Sequence, residues 1–342
     1  MRKIILGQTK LSITKTAFGA LPIQRSTTQE AVNLLRAAKD SGINFFDTAR
    51  EYTDSENKLG IAFKDCRNQV IIATKTHAQN LDEMKRHLKE SLKTLQTDYI
   101  DLYQFHNAKD IPTLSSPMYQ YMLELKEQGI IRHIGISCHS YASAAEAIES
   151  GLYETLQYPI FCLSDEKDLG LIEKCKERNM GVIAMKGMGG GLIDDARIAY
   201  LFFEKHRDIC TIWGMQKREE LEEFVSLDKN PPINDKALAE KLSEYSEELK
   251  GDFCRSCGYC MSSCPVNIQI LNCARMSQLL KRAVWQEFVS EKWQENMEHT
   301  ENCIECGACT VKCPYSLDIP NLLKKNLANY REFLRENKLD SQ

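Results

Sequence analysis

Two periodicities alternate along the first two thirds of this chain. Short apolar runs that end in polar residues recur roughly every 25–30 residues, at 16–20, 43–48, 70–75, 100–106, 132–137, 155–160, 181–187 and 210–215. Their length and apolar content predict buried strands. Between them, apolar residues fall at helical spacing over 28–41, 55–65, 81–95, 118–129, 141–150, 166–179, 194–206 and 217–227. Thr28 and Asn80 stand where N-caps belong, and Gly42, Gly129 and Gly181 stand where C-cap glycines belong. Eight strand–helix units in series predict an α/β fold, a closed (β/α)8 TIM barrel rather than an open doubly wound sheet. Residues 3–13 alternate and turn at Gly7-Gln8, which predicts a β-hairpin under the barrel.

The pattern breaks at Asn230-Pro231-Pro232-Ile233-Asn234, which reads as a linker. The expected division is a barrel over 1–230 and a small, mostly helical domain over 231–342, with helices at 235–250, 270–282 and 284–297. A formal net charge of −4 gives no reason to expect nucleic acid or an anionic membrane as a partner. No apolar run approaches the roughly 20 residues of a membrane span, and the N-terminus lacks the apolar core of a secretory signal. A cytoplasmic location is the expectation.

Cysteine changes the picture. Of 14 cysteines, five are scattered at 66, 138, 162, 175 and 210, and the other nine fall between 254 and 313. Clustering of this kind points to metal rather than disulfides. Cys254-x2-Cys257-x2-Cys260-x3-Cys264-Pro265 is repeated as Cys303-x2-Cys306-x2-Cys309-x3-Cys313-Pro314. That is the two-cluster ferredoxin run, in which the fourth cysteine of each run reaches the other cluster. One [4Fe–4S] cluster is therefore assigned to Cys254, Cys257, Cys260 and Cys313. The second is assigned to Cys303, Cys306, Cys309 and Cys264. Zinc sites show separated cysteine pairs instead. Gly258 and Gly307 suit a backbone that hugs a cluster, while Cys273 and the five scattered cysteines are expected to be buried structural thiols.

The polar residues that end the strands are the other candidate chemistry. Asp47, Tyr52, Lys75 and His106 all lie at or just past strand C-termini, where such folds gather function. Asp47-Thr48-Ala49-x-x-Tyr52, then Ser55-Glu56-x3-Gly60, then Lys75 and His106, resembles the aldo-keto reductase superfamily over roughly residues 1–230. The resemblance implies a (β/α)8 barrel with an Asp-Tyr-Lys-His tetrad. It implies Tyr52 as general acid/base, Lys75 as the cation that lowers the phenol's pKa, Asp47 as that lysine's partner, and His106 as a donor to a carbonyl oxygen. Glu56 reads as structural. With its cysteine-rich tail the whole chain is similar to aldo-keto reductases that carry a C-terminal ferredoxin domain.

The same resemblance implies a nicotinamide cofactor, NADP or NAD, held without a Rossmann fingerprint. Ser137 and Gln157 match its carboxamide contacts. Lys186-Gly187-Met188-Gly189-Gly190-Gly191 matches the loop around its pyrophosphate, and Lys217 stands near its adenylate end. Departures gather there: Cys138 in place of Asn, Met185 in place of an aromatic, Glu220 in place of a basic residue and Phe224 in place of Asn. The leading expectation is an oxidoreductase acting on a carbonyl or hydroxyl group, redox-linked through two [4Fe–4S] clusters, with a ferredoxin or other protein as redox partner. The alternatives are an electron-transfer subunit, or a one-electron reductase of a barrel-bound substrate. Arg25 and His77, in loops after strands, hint at a polar or anionic substrate.

Overall fold

The computed structural model describes residues 1–108, 110–233, 235–248, 253–254, 260–282, 285–313, 315–337 and 339. The chain forms two compact units, Met1–Met188 with Asp195–Leu238, and Gly189–Asp194 with Ala239–Gln342.

The first unit opens with strands β1 (Lys3–Ile5) and β2 (Ser12–Thr14), paired antiparallel. Eight parallel strands then close into a barrel: β3 (Thr16–Gly19), β4 (Phe45–Asp47), β5 (Ile71–Thr76), β6 (Ile100–Phe105), β7 (Ile131–Ser137), β8 (Thr155–Pro159), β9 (Gly181–Met185) and β10 (Ile209–Gly214). Helices α1 (Thr28–Asp40), α2 (Ser55–Phe63), α3 (Leu81–Thr94), α4 (Pro117–Glu127), α5 (Tyr141–Ser150), α6 (Glu166–Glu177), α7 (Ala196–Lys205) and α8 (Arg218–Lys229) follow strands β3 to β10 in turn. This is the expected (β/α)8 barrel.

The hairpin plugs its lower end. Leu6 and Ile13 are fully buried and pack with Ala17, Phe45, Ala73 and Ile183 inside the barrel. The two hairpin strands are joined by a 3₁₀ turn over Gly7–Thr9 rather than a two-residue turn. Gly181 opens β9 rather than capping a helix. A Cβ there would lie 2.7 Å from the Leu6 side chain, and Asn179 takes the left-handed conformation that ends the preceding helix. Gly42 and Gly129 have the positive φ of a C-cap. The α1 cap is Thr27, one residue earlier than expected, because its hydroxyl accepts from Glu30 N while Glu30 accepts from Thr27 N. Asn80 caps α3 through Glu83 N. Gly60 lets α2 close on the end of α3, since a Cβ there would stand 2.2 Å from the Thr94 carbonyl.

Helix α9 (Lys236–Glu248) begins in the first unit and continues into the second. The second unit also contains α10 (Ile270–Cys273), α11 (Met276–Arg282), α12 (Glu291–Glu298), α13 (Ala308–Lys312) and α14 (Ile319–Glu336), with no strand among its described residues. The helix expected over 270–282 is broken at Ala274-Arg275. The one expected over 284–297 is a 3₁₀ turn, Trp285–Val289, followed by α12. The spine is α14, whose Leu323, Leu327, Tyr330 and Leu334 repeat at helical spacing and are all buried. Burying each leucine contributes about 1.5–3 kcal/mol. Asn326 on the same face accepts from Ser277 N at 2.8 Å and donates to Ala274 O at 3.3 Å, which satisfies the break between α10 and α11. Met276 and Met297 belong to this core, and Trp285, Phe288 and Trp293 pack against it.

Candidate active site and cysteine centre

The polar strand endings converge at the C-terminal rim of the barrel. Asp47 ends β4, Lys75 lies near the end of β5, and His106 follows β6 directly. Tyr52 is carried there by a pegged loop: Thr48 N donates to Ala73 O, Arg50 N to Lys75 O, and Tyr52 N to Ala49 O. Behind the loop Glu56, itself buried, pairs with Arg50 and accepts from Thr74 Oγ1 at 2.7 Å and Thr94 Oγ1 at 3.0 Å. The expected structural role of Glu56 is the one its contacts describe.

Asp47 and Lys75 are an almost fully buried ion pair, with Nζ 2.8 Å from Oδ2 and 2.7 Å from the Thr48 carbonyl. Burial pushes the aspartate up and the lysine down from their ordinary pKa values, and each charge pulls the other back. Lys75 Nζ lies 5.3 Å from the centroid of the Tyr52 ring, and the Tyr52 and His106 rings meet edge to face at 5.8 Å. Asp47, Tyr52, Lys75 and His106 are thus one constellation.

Its electrostatics differ from the expectation at Tyr52. The phenol is pushed up from its ordinary value, by burial first and then by the Asp47 and Glu51 carboxylates. Lys75 does not lower it, because the ammonium sits over the ring and is committed to Asp47 and the Thr48 carbonyl. Tyr52 therefore keeps its proton near neutrality. Burial, then Lys75 and His77, push the His106 imidazole down to about 3, so it is neutral there.

This carries a pH prediction. Between about 3 in the fold and 6.5 unfolded, the unfolded chain binds the extra proton, so stability falls as pH drops through that window. His106→Gln removes this contribution. Thermal midpoints followed from about pH 7.5 to about pH 5 are expected to fall less steeply in His106→Gln than in the wild type. Parallel curves would contradict the assignment.

Inside the barrel the ion pair continues into a polar layer. Gln157 Nε2 donates to Asp47 Oδ2 at 3.4 Å, and Gln157 Oε1 accepts from Gln104 Nε2 at 2.9 Å. Gln104 was not anticipated, although a glutamine set between Tyr103 and Phe105 in a strand was the available signal. Asp47 Oδ1 and Gln104 Oε1 are buried with no hydrogen-bond partner. The Tyr52 hydroxyl likewise has no hydrogen bond among the described residues. Unpaired polar atoms of this kind suit a polar ligand in contact with the layer. A surface depression lies elsewhere, at the N-terminal ends of β5 and β6, lined by Lys64, Asp65, Arg67 and Tyr99.

The dinucleotide positions divide into two groups. Gln157 sits beside the ion pair, as a carboxamide contact would. The Ser137 hydroxyl instead accepts from Asn107 N at 2.8 Å and donates to Phe105 O at 3.3 Å, stapling the loop after His106. Lys186 takes a left-handed conformation at the end of β9, and Gly189, Gly190 and Gly191 follow with φ of 59°, 69° and 88°. The three glycines belong to the second unit, where the Gly190 carbonyl accepts from Arg275 Nη2 at 2.6 Å. Lys217 is exposed. Glu220 caps α8 by accepting from Gln216 N and Lys217 N. Phe224 is buried and stacked on Trp213 at 4.4 Å. The residues fit a nicotinamide ring at the tetrad, but the adenylate end lacks the family's polar contacts at positions 220 and 224.

In the second unit Cys264, from the first cysteine run, lines one pocket with Cys303, Cys306 and Cys309 of the second. Isoleucine, valine, proline and leucine make up most of the remaining wall, and Ile268 N donates to Cys264 Sγ at 3.4 Å. Four thiols converging in an apolar cradle suit an iron–sulfur cluster. Cys254 and Cys260 are buried and Cys313 is half-buried in the core around α14. Cys257, Gly258 and Pro314 lie outside the described residues. No described cysteine forms a disulfide. Gly307 has a φ of 72°. Cys273 is fully buried, as are Cys138, Cys175 and Cys210. Cys66 and Cys162 are only half-buried, because each stands in a connecting segment.

A family model described as Aldo/keto reductase family matches residues 3–240, and one described as 4Fe-4S dicluster domain matches residues 253–318. An uncharacterized oxidoreductase, YqkF of Bacillus subtilis (strain 168), is 29% identical over 211 residues, which is 57% of this chain and 67% of that protein. The L-galactose dehydrogenase of Arabidopsis thaliana is 29% identical over 211 residues, 56% of this chain and 66% of that protein. The chain therefore spans about two thirds of the length of these relatives. Among solved structures, an aldo-keto reductase from Klebsiella pneumoniae in complex with NADPH matches with a TM-score of 0.61 at 22% identity, over 74% of this chain and 97% of that chain. No helix among the described residues is long and apolar enough to cross a membrane.

Proposed function

Because this chain belongs to the aldo/keto reductase family and carries a 4Fe-4S dicluster domain, we propose that its barrel reduces a small carbonyl compound to the alcohol. The observation that carries the reading is the Tyr52 phenol, without a hydrogen-bond partner among the described residues, beside the neutral His106 and the buried Lys75–Asp47 pair.

A nicotinamide, when bound, supplies hydride to the carbonyl carbon. Tyr52 gives its proton to the oxygen as negative charge develops there, and a neutral His106 donates a hydrogen bond to the same oxygen. Asp47 and the Thr48 carbonyl hold Lys75 over the Tyr52 ring, which fixes where the phenol stands. A phenol held above its ordinary range stays protonated near neutrality, the form that reduction requires. Gln157 and the unpaired Asp47 Oδ1 are available to orient the nicotinamide amide. The Klebsiella neighbour's NADPH supports NADP as cofactor, and exposed Lys217 is available to its phosphate.

Cys254, Cys257, Cys260 and Cys313 would hold one [4Fe–4S] cluster, and Cys264, Cys303, Cys306 and Cys309 the other. Such clusters, when bound, exchange one electron each. Cys306, Ile304 and Val311 of the second cysteine run are exposed, which suits a ferredoxin-like redox partner. Reduced thiolate ligands agree with a cytoplasmic location. The second reading, one-electron reduction of a barrel-bound substrate, draws on Phe224 and Glu220, which are committed to core and cap at the adenylate end.

The test is anaerobic oxidation of NADPH or NADH by the cluster-loaded protein with a panel of aldehydes and ketones. Carbonyl-dependent oxidation supports the reading. Absence of turnover with every carbonyl and both nucleotides contradicts it.

A further inference from the structure

Beside the tetrad, on the β4–α2 loop, just after β5 and just after β6, three side chains meet that the proposed reduction does not explain as a group. Glu51, His77 and His106 each bring one ligand atom to a spot where all three atoms lie within 4.8 Å of one another. We propose that these residues form a site for one divalent transition metal ion of the zinc class.

Geometry supports this. Zinc bonds to imidazole nitrogen and carboxylate oxygen are about 2.0–2.1 Å, so neighbouring ligand atoms on a tetrahedron stand about 3.3 Å apart. His106 Nδ1 and Glu51 Oε2 are 3.3 Å apart. His77 then needs only a small approach, and the Glu51 side chain, more than half exposed, is free to turn toward it. Both His77 Nδ1 and His106 Nδ1 are buried without a hydrogen-bond partner. Two imidazoles and one carboxylate are a ligand set for zinc, iron or cobalt, with positions left for water. Lys75, a cation that acts on His106, is already matched by Asp47.

The neighbouring triad His77, Glu83 and His87 also lies within ligand range, but its groups are committed. His87 Nδ1 meets Thr76 Oγ1 at 2.9 Å, and Glu83 Oε2 accepts from Gln79 N at 2.8 Å. His77 is shared, so one site excludes the other. Coordination at Nδ1 requires that nitrogen to be bare, so the proton of His106 must reside on Nε2. The ion would then fix the tautomer of the residue that, on the reduction reading, donates to the carbonyl oxygen.

The experiment is calorimetric titration of Zn²⁺ into the anaerobic, cluster-loaded protein, which does not depend on carbonyl reduction. Wild type and Tyr52→Phe are expected to bind one equivalent. Glu51→Gln and His77→Gln should each bind at least tenfold more weakly, and Glu83→Gln should match the wild type. Zinc-edge absorption of the one-to-one complex should show only the nitrogen/oxygen shell at about 2.0–2.1 Å, with no sulfur at about 2.3 Å. Unchanged binding in both Glu51→Gln and His77→Gln, a sulfur shell, or loss in Glu83→Gln with none in Glu51→Gln would overturn the site. Zinc binding without carbonyl turnover would leave the site standing and count against the reduction alone.

Discussion

Tyr52→Phe should lower the turnover of carbonyl reduction by about 10²–10⁴-fold while leaving KM nearly unchanged. The substitution removes one atom. The ring under Lys75 Nζ and its edge contact with His106 are retained, so the pocket's packing is preserved. What is lost is the proton that meets the developing alkoxide, an interaction made in the transition state and hardly at all in the bound ground state. The wild-type rate should also persist on the alkaline side to about pH 9, because burial, Asp47 and Glu51 hold the phenol above its ordinary value near 10. Steady-state kinetics under anaerobic conditions checks both points. Equal turnover of wild type and Tyr52→Phe would remove Tyr52 from the chemistry.

A second large effect is expected in the tail. Cys264→Ala should cut bound iron from about eight to about four atoms per chain, by removing the cluster assigned to the second cysteine run rather than to its own. The pocket shared by Cys264, Cys303, Cys306 and Cys309 is the basis for this crossing. Double variants separate it from the uncrossed arrangement, because two ligands of one cluster act as a unit. Cys264→Ala combined with Cys306→Ala should retain about four irons, whereas Cys264→Ala combined with Cys254→Ala should retain almost none. The opposite pattern, by iron analysis and electron paramagnetic resonance of the reduced protein, would assign Cys264 to the cluster of its own run.

How much of this could be read from the residues depended on the range of the interactions involved. The barrel was legible because each strand is a short apolar run and each helix a separate amphipathic segment, so local periodicity carries the topology. Asp47, Lys75 and His106 were legible because a polar residue at the end of an apolar strand needs a partner. Cap positions were misjudged by one residue at Thr27, where Thr27 and Thr28 compete and only the reciprocal bond with Glu30 decides. Gly181 was misread because its reason is the Leu6 side chain, distant in sequence.

The rest was hidden for the same cause. The Tyr52 phenol's upward push comes from burial and two carboxylates, and no spacing reports burial. Gln104 pairs with Gln157 across 53 positions. The Ser137 hydroxyl proved committed to the Asn107 amide and the Phe105 carbonyl, and Glu220 to a helix start, contacts that a resemblance by position does not reveal. Helix α14 went unpredicted although Leu323, Leu327, Tyr330 and Leu334 repeat at helical spacing, because the adjoining cysteine run dominated that stretch.

The central claim is that a hydride reaches the substrate carbon in the barrel while Tyr52 supplies the proton to oxygen. Nicotinamide deuterated at the transferring position, supplied to the cluster-loaded protein with an accepted carbonyl, tests it most directly. Deuterium on the carbinol carbon of the product, with solvent hydrogen only on oxygen, is the result this account predicts. Solvent hydrogen on that carbon would mean delivery one electron at a time and would contradict it.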